Sequence, residues 1–192
     1  MVRLTRIYTG TGDGGDTMLS TGQSARKSDL RVEAYGAVDE TNACIGLVRL
    51  HTADDGGLDP ILARIQNELF DLGADLSTPE RGVKPGITPL RITDGQTTRL
   101  EQDIDRLNAD LAPLSSFVLP GGSAAAAHLH LARTVCRRAE RIAVALMDTP
   151  GEDVSGPAFR YLNRLSDLLF VAARWANARG VGDVLWTPGG TR

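Results

Sequence analysis

Apolar residues recur at steps of three and four in five segments of the chain, the spacing that gathers them on one face of an α-helix. The clearest stripe is Leu62, Ile65, Leu69, Leu72 and Leu76. The pattern predicts helices over about 37–51, 59–76, 93–111, 123–147 and 157–180. Apolar segments longer than the usual helix of about 11 or 12 residues pack as bundles. The predicted fold class is therefore all-α, a five-helix up-and-down bundle.

Helix-start signals support two of these assignments. Thr93 and Gln96 have the spacing of a capping box, and Ser123 is a favourable N-cap before an alanine run. The helix after Ser123 carries a heptad-like apolar seam, which we predict to be buried. Its members are Leu129, Ala132, Cys136, Ala139, Ala143 and Leu146.

Two segments fall outside the helical pattern. Residues 9–17 are almost all Gly, Thr and Asp, without helical or strand periodicity, and are predicted to form a glycine-rich loop. For residues 181–192 a short strand and an ordered arm are both open. The chain is therefore interpreted as one domain over 1–192, with an N-terminal loop (1–30), a bundle (31–180) and a tail (181–192).

Composition narrows the function classes. The 192 residues include 21 Lys and Arg against 24 Asp and Glu, a net charge of -3 that disfavours nucleic acid as a partner. No apolar run reaches the roughly 18 residues of a membrane span, so we expect a cytoplasmic protein without a membrane partner. The two cysteines and three histidines lack metal-ligand spacing, and no protein metal site is predicted.

The glycine-rich segment is the first candidate for chemistry. Glycines let backbone N–H groups turn toward an anion, Thr hydroxyls add donors, and Lys27 adds a positive charge. The segment is neither a phosphate-binding Walker sequence nor a dinucleotide fingerprint. Phosphate binding and a flexible arm without a ligand both remain open.

The second candidate is a row of arginines in the fourth helix. Arg133, Arg137 and Arg141 stand at four-residue steps, with Arg138 beside them. They form either a solvated stripe relieved by Glu140 or, with half-buried stems, a phosphate-binding groove. A triphosphate would explain both candidates.

Three further positions have two interpretations each. Asp39, at the start of the first predicted helix, either serves capping alone or has a functional role. Asn163 is either a surface amide or a ligand contact. Phe117 belongs to an apolar stretch before Ser123 and packs in the core by default.

The motifs together resemble the PduO-type ATP:cob(I)alamin adenosyltransferases. They are, in order from Arg6, R-I-Y-T-x-T-G-D-x-G, R-K-S-D-x-R-V-E-A-Y-G-x-V-D-E, F-V-L-P-G-G, A-R-T-V-C-R-R-A-E-R and Y-L-N-R-L-S-D-L-L-F. The resemblance implies a homotrimeric five-helix bundle with active sites at subunit interfaces. It implies transfer of the 5′-deoxyadenosyl group of ATP to cob(I)alamin, which yields adenosylcobalamin and triphosphate.

The resemblance also implies roles for individual residues. Arg137 and an interfacial ion pair between Asp39 and Arg133 would serve catalysis, and Phe117 would fill the lower face of the corrin. ATP would be bound by Thr9, Gly10, Thr11, Gly12, Thr17, Met18 and Lys27, and on the neighbouring subunit by Arg137, Arg138, Glu140, Arg141 and Asn163. Gly10 and Gly14 stand where many relatives have Lys, so some phosphate contacts would pass to the backbone.

Mg²⁺ would accompany the triphosphate, and the implied partners are a cob(II)alamin-reducing system and an adenosylcobalamin-dependent enzyme. Two alternatives stay open at this stage. One is a non-catalytic carrier of corrinoid or nucleotide, and the other is a structural bundle with a solvated arginine stripe.

Overall fold

A computed structural model describes residues 7–192 as a bundle of five helices preceded by a small hairpin. The helices are α1 (Leu30–Arg49), α2 (Asp59–Leu76), α3 (Asp94–Asn108), α4 (Ala124–Met147) and α5 (Gly156–Ala176). The hairpin consists of β1 (Asp16–Met18) and β2 (Ser24–Arg26), which pair antiparallel. The predicted five-helix fold is confirmed.

The helices bury one continuous apolar core. α1 packs against α4 and α2, while α5 packs against α4 and α3. The seam predicted for α4 is buried throughout. The predicted stripe of α2 is buried as well, because its three- and four-residue steps keep the side chains on the face turned to α1.

The start signals act as predicted. Ser123 Oγ accepts a hydrogen bond from Ala126 N–H at 3.1 Å, and Thr93 N–H donates to Gln96 Oε1 at 2.9 Å. α5 begins at Gly156, behind the N-cap Ser155. No helix in the described part of the chain combines the length and apolar character needed to cross a membrane.

Two expectations were wrong in detail. The glycine-rich segment is not free of strands, since β1 begins at Asp16. α1 begins at Leu30, seven residues before the position that the apolar pattern indicated. Its first turn contains Arg31, which is buried and donates to Glu152 Oε2 at 2.7 Å and to Leu76 O at 2.7 Å. A buried ion pair is invisible to a search for apolar periodicity.

Candidate active site

The glycine-rich segment folds back on itself before β1. Backbone bonds from Asp13 N–H to Gly10 O (3.3 Å) and from Gly15 N–H to Gly12 O (3.2 Å) close two successive turns. Gly15 has a φ of +86°, and a Cβ at this position would lie 2.9 Å from Arg26 Nη2. The positive φ favours glycine there, and a side chain at this position would displace the guanidinium of Arg26.

Lys27 is tethered to this segment. Its ammonium donates to Gly12 O at 2.8 Å, which fixes the position of the positive charge. An ammonium has three donors, which leaves two for a ligand. The hairpin groove, of about 480 Å³, is lined by Thr11, Gly12, Asp16, Thr17, Met18, Gly22, Ser24 and Lys27.

A second groove of about 590 Å³ lies between the hairpin, α1 and α2. Thr17 and Met18 line both grooves, so the two grooves are neighbours. Phe70 is 72% exposed on the wall of the second groove. Asp39 is the one carboxylate among its lining residues, and no cationic side chain of the described residues pairs with it. This α1–α2 groove thus combines apolar walls with one unpaired negative charge.

The arginines of α4 differ in burial. Arg133 is half-buried, and its pKa is lowered by that burial and secondarily by the neighbouring charge of Arg137. Its Nε is buried and has no hydrogen-bond partner among residues 7–192. Arg137 and Arg141 are exposed in the single chain. Burial is thus seen for Arg133, whereas the side chain of Arg137 is 51% exposed in the single chain.

The remaining polar residues of α4 have partners within the chain. Arg138 forms an ion pair with Glu40 of α1. Glu140 accepts a hydrogen bond from Asn163 Nδ2 at 2.8 Å, and its other oxygen lies 3.7 Å from Arg137 Nη1. Arg137, Glu140 and Asn163 therefore form one polar cluster, whereas Arg138 is engaged elsewhere. The sequence could not show this separation, because it depends on how α4 meets α1 and α5.

The two candidate constellations do not share a groove within one chain. Neither the hairpin groove nor the α1–α2 groove is lined by a residue of α4.

Phe117 is not a core residue, contrary to the default interpretation of its apolar stretch. Its side chain is 77% exposed, and its ring centroid lies 6.0 Å from that of Trp186 in the tail. The tail is held there by an antiparallel bridge between Val118 and Leu185 and by a bond from Trp186 N–H to Phe117 O at 2.8 Å. The aromatic pair was missed in the sequence, where only the apolar run 184–186 hints at a strand.

Comparison with known proteins assigns the family. A family model described as cobalamin adenosyltransferase matches residues 7–176. The chain belongs to the cobalamin adenosyltransferase family. A corrinoid adenosyltransferase of Mycobacterium tuberculosis is 53% identical over 191 residues, which cover 100% of this chain and 97% of the relative. One from Bacillus subtilis is 45% identical, with 93% and 91% covered.

Solved structures agree with this assignment of the cobalamin adenosyltransferase fold. A variant of a PduO-type ATP:corrinoid adenosyltransferase from Lactobacillus reuteri, complexed with cobalamin and ATP, matches with a TM-score of 0.85 at 38% identity. The match covers 94% of this chain and 99% of that one. Another variant of the same enzyme, complexed with ATP, has a TM-score of 0.82.

The family resemblance assigned ATP binding to seven residues of the N-terminal segment. Five of them line the hairpin groove, and two lie in the turn before it. Those that line the hairpin groove are Thr11, Gly12, Thr17, Met18 and Lys27. Thr9 and Gly10 lie in the preceding turn, where Thr9 Oγ1 is 2.8 Å from Thr11 Oγ1. Arg6, the first residue of the motif, lies outside the described residues.

Groups suited to metal binding or nucleophilic attack are not assembled here. Within residues 7–192, no three His, Cys, Asp or Glu side chains are arranged to hold a metal ion. Cys136 is buried, and burial raises the pKa of its thiol. His130 is buried against Phe170, and burial is the main cause that lowers its pKa. These side chains therefore serve packing.

Proposed function

We propose that this chain transfers the 5′-deoxyadenosyl group of ATP to the cobalt of a reduced corrinoid. The electron pair of Co(I) attacks the ribose C5′ and forms a cobalt–carbon bond, while the C5′–O bond breaks and triphosphate departs. The observation that carries the proposal is that two unlike grooves lie side by side, with Thr17 and Met18 in both linings, in a chain of this family. One offers donors to a polyphosphate, and the other offers apolar walls to a flat macrocycle.

The hairpin would hold the departing triphosphate. Gly12, the hydroxyl-bearing Thr11 and Thr17, and Lys27, whose ammonium keeps two donors, line the same groove. Preorganised donors of this kind stabilise charge that develops on a leaving group. The developing charge in this reaction is on the triphosphate, which matches a groove rich in donors.

We propose a homotrimer in which the hairpin and α1 of one protomer meet α4 of the next. Among residues 7–192, Asp39 has no cationic partner and Arg133 has no anionic one, so each can pair with the other across an interface. Exposed apolar residues on α4 and around the C-terminal end of α1 are typical of a surface buried on assembly. They are Leu47, Leu50, Leu131, Val144 and Met147.

In this arrangement the arginine row would complete the triphosphate site of the neighbouring protomer. Arg137 and Arg141 are exposed, and Asn163 is joined to Arg137 through Glu140. Arg forks bind phosphate through charge-assisted hydrogen bonds. Arg138 would bind ATP only by giving up its ion pair with Glu40 and pairing with a phosphate instead.

The reaction requires alignment rather than a protein nucleophile. Co(I) is itself the nucleophile, and holding it in line with C5′ replaces a bimolecular encounter with an oriented one. Phe117, supported by Trp186, would cover the lower face of the corrin and keep the dimethylbenzimidazole base from ligating cobalt. Removal of that ligand makes the reduction of Co(II) to Co(I) easier.

Mg²⁺ fits this site as a companion of the triphosphate. It prefers oxygen ligands and usually binds through substrate phosphates with one or two carboxylates. Asp16 and the hydroxyls of Thr11 and Thr17 line the hairpin groove. A reducing system would supply Co(I), and an adenosylcobalamin-dependent enzyme would take the product.

An anaerobic assay tests the proposal. The chain is mixed with chemically reduced cobalamin and Mg·ATP, and Co(I) absorbance is followed together with triphosphate. Loss of the Co(I) absorbance with one triphosphate released per corrinoid is expected. Corrinoid binding without triphosphate release would indicate a carrier, and absence of ATP binding in calorimetry would indicate a structural bundle.

A further inference from the structure

A pocket of about 310 Å³ adjoins the α1–α2 groove and has no part in the reaction described above. It lies between the hairpin turn, the end of α2 and the loop over 77–92. Ser20 and Ala74 line both the pocket and the groove, so the two cavities are neighbours. The other lining residues are Thr21, Thr78, Gly82, Val83, Lys84, Ile87, Pro89 and Leu90.

The loop that forms this pocket is fixed at its base. Arg91 donates to Asp75 Oδ1 at 2.7 Å and to Thr78 O at 2.7 Å, and Asp75 is 2% exposed. Gly82 approaches the hairpin so closely that a Cβ there would lie 2.8 Å from Thr21 Cγ2. The pocket therefore lies between two segments with fixed positions, the loop over 77–92 and the turn of the hairpin.

The chemistry of the lining is apolar with one cation. Ile87 and Leu90 are 59% and 55% exposed and place apolar surface on the wall of the pocket. Lys84 is exposed and forms no ion pair among the described residues. The full sequence contains only two lysines, Lys27 and Lys84, and every ion pair named in this structure uses arginine. Lys84 is thus a free cation at the rim of an apolar pocket.

We infer that this pocket receives the nucleotide tail of the corrinoid, an inference that rests on the proposed function. Lys84 pairs with the phosphodiester of the tail, and Val83, Ile87 and Leu90 pack against its dimethylbenzimidazole base. The amide side chains of the corrin are neutral, so the phosphodiester is the group that a cation selects. Ligand pockets begin at about 300 Å³, and a cavity of this size suits a bicyclic base rather than a corrin ring.

The inference makes Lys84 a specificity-determining residue for complete corrinoids. Cobinamide contains the corrin ring and cobalt but lacks the nucleotide tail, so it separates tail contacts from all others. For Lys84→Gln we expect the KM for cob(I)alamin to rise about 5- to 10-fold, the loss of one charge-assisted contact. The KM for reduced cobinamide and the kcat with either substrate should stay near wild type.

A matched control replaces Arg106 of α3, a cation close to the N-terminal end of α2 and thus remote from the pocket. Arg106 donates to Gly57 O just before that helix, and Arg106→Gln should leave the KM for both corrinoids unchanged. A second readout is salt. Added salt screens the proposed ion pair between Lys84 and the phosphodiester, so it should raise the wild-type KM for cobalamin. It should have less effect on Lys84→Gln, because that variant lacks the ion pair.

The possible results separate this inference from the proposed function. Equal KM values for wild type and Lys84→Gln with cobalamin would overturn the tail pocket, and so would an equal rise with both corrinoids. A wild-type protein that adenosylates neither corrinoid would refute the proposed function itself. An unchanged unfolding temperature for Lys84→Gln confirms that the comparison concerns binding.

Discussion

Asn163 of α5 donates its side-chain N–H to Glu140 of α4 at 2.8 Å, and the same carboxylate lies beside Arg137. The Glu140 carboxylate thereby orients both the amide of Asn163 and the guanidinium of Arg137, the two groups proposed to contact phosphate. The side chain of Glu140 is 13% exposed, so its position is set by the packing of α4 on α5.

Replacing Glu140 by Gln should weaken ATP use while leaving the fold intact. The amide oxygen of Gln can still accept from Asn163, but the charge that orients Arg137 is removed. We expect kcat/KM for ATP to fall about tenfold, equivalent to about 1.4 kcal/mol. Glu101→Gln, which removes a surface partner of Arg164, is the control and should have little effect. A wild-type kcat/KM in Glu140→Gln would contradict the positioning role.

The proposed interfacial pair predicts a charge-reversal experiment. Asp39→Arg or Arg133→Asp alone should weaken the trimer by placing like charges opposite each other, and the double exchange should restore part of it. Sedimentation velocity gives the oligomeric state of all three variants. Trimers of undiminished stability in both single variants would disprove the pairing, because like charges at an interface are destabilising.

Gly15→Ala should raise the KM for ATP without destabilising the bundle. The substitution places a side chain at φ +86°, a backbone conformation that favours glycine, and displaces the guanidinium of Arg26, whose Nη2 would lie 2.9 Å from the new Cβ. Backbone strain of this kind costs about 1–3 kcal/mol. Gly14→Ala is the matched control, since a Cβ there meets nothing within 4 Å. Steady-state kinetics and an unfolding curve check both variants, and equal KM values would show that the turn is not required.

Phe117 and Trp186 should act together on the corrinoid. Their rings lie 6.0 Å apart, and the backbone of the tail holds them in register. Trp186→Ala is expected to lower kcat/KM for cobalamin in the same direction as Phe117→Ala, with unchanged ATP affinity in calorimetry. A double variant no worse than Phe117→Ala would place both rings in one function. An inert Trp186→Ala would limit that function to Phe117.

The ion pair at the start of α1 predicts a dependence of stability on pH. The hydrogen bond from Arg81 lowers the pKa of Glu152, against the opposing effect of burial, and Arg31 adds to the lowering. The carboxylate therefore stabilises the folded chain above its ordinary pKa of about 4.3, and this contribution is lost as pH falls through the lower folded pKa.

Glu152→Gln tests this dependence. At pH 7 it should cost about 2 kcal/mol of unfolding free energy, since Arg31 is buried and loses a charged partner. Urea unfolding between pH 3 and 7 should show a smaller loss on acidification for the variant than for wild type. Parallel curves would mean that Glu152 does not contribute to the acid sensitivity.

Local sequence signals predicted most of the bundle. The stripe of α2, the seam of α4 and the caps at Thr93 and Ser123 depend on neighbours within a few residues, and the structure confirms them. The start of α1 was missed because Arg31 is buried through partners at 76 and 152. A polar residue that is buried by distant partners has no local signature.

The sequence by itself determined the five helices, the glycine-rich segment, the four-residue spacing of the arginines and the family motifs, because each is a property of residue type and short-range order. Only the tertiary structure decided which polar groups have partners. It paired Arg138 with Glu40, joined Asn163 to Glu140, and left Asp39 and Arg133 without charged partners in the described chain. Pairing depends on distances between side chains that lie far apart in sequence, and those distances are set by how the helices pack.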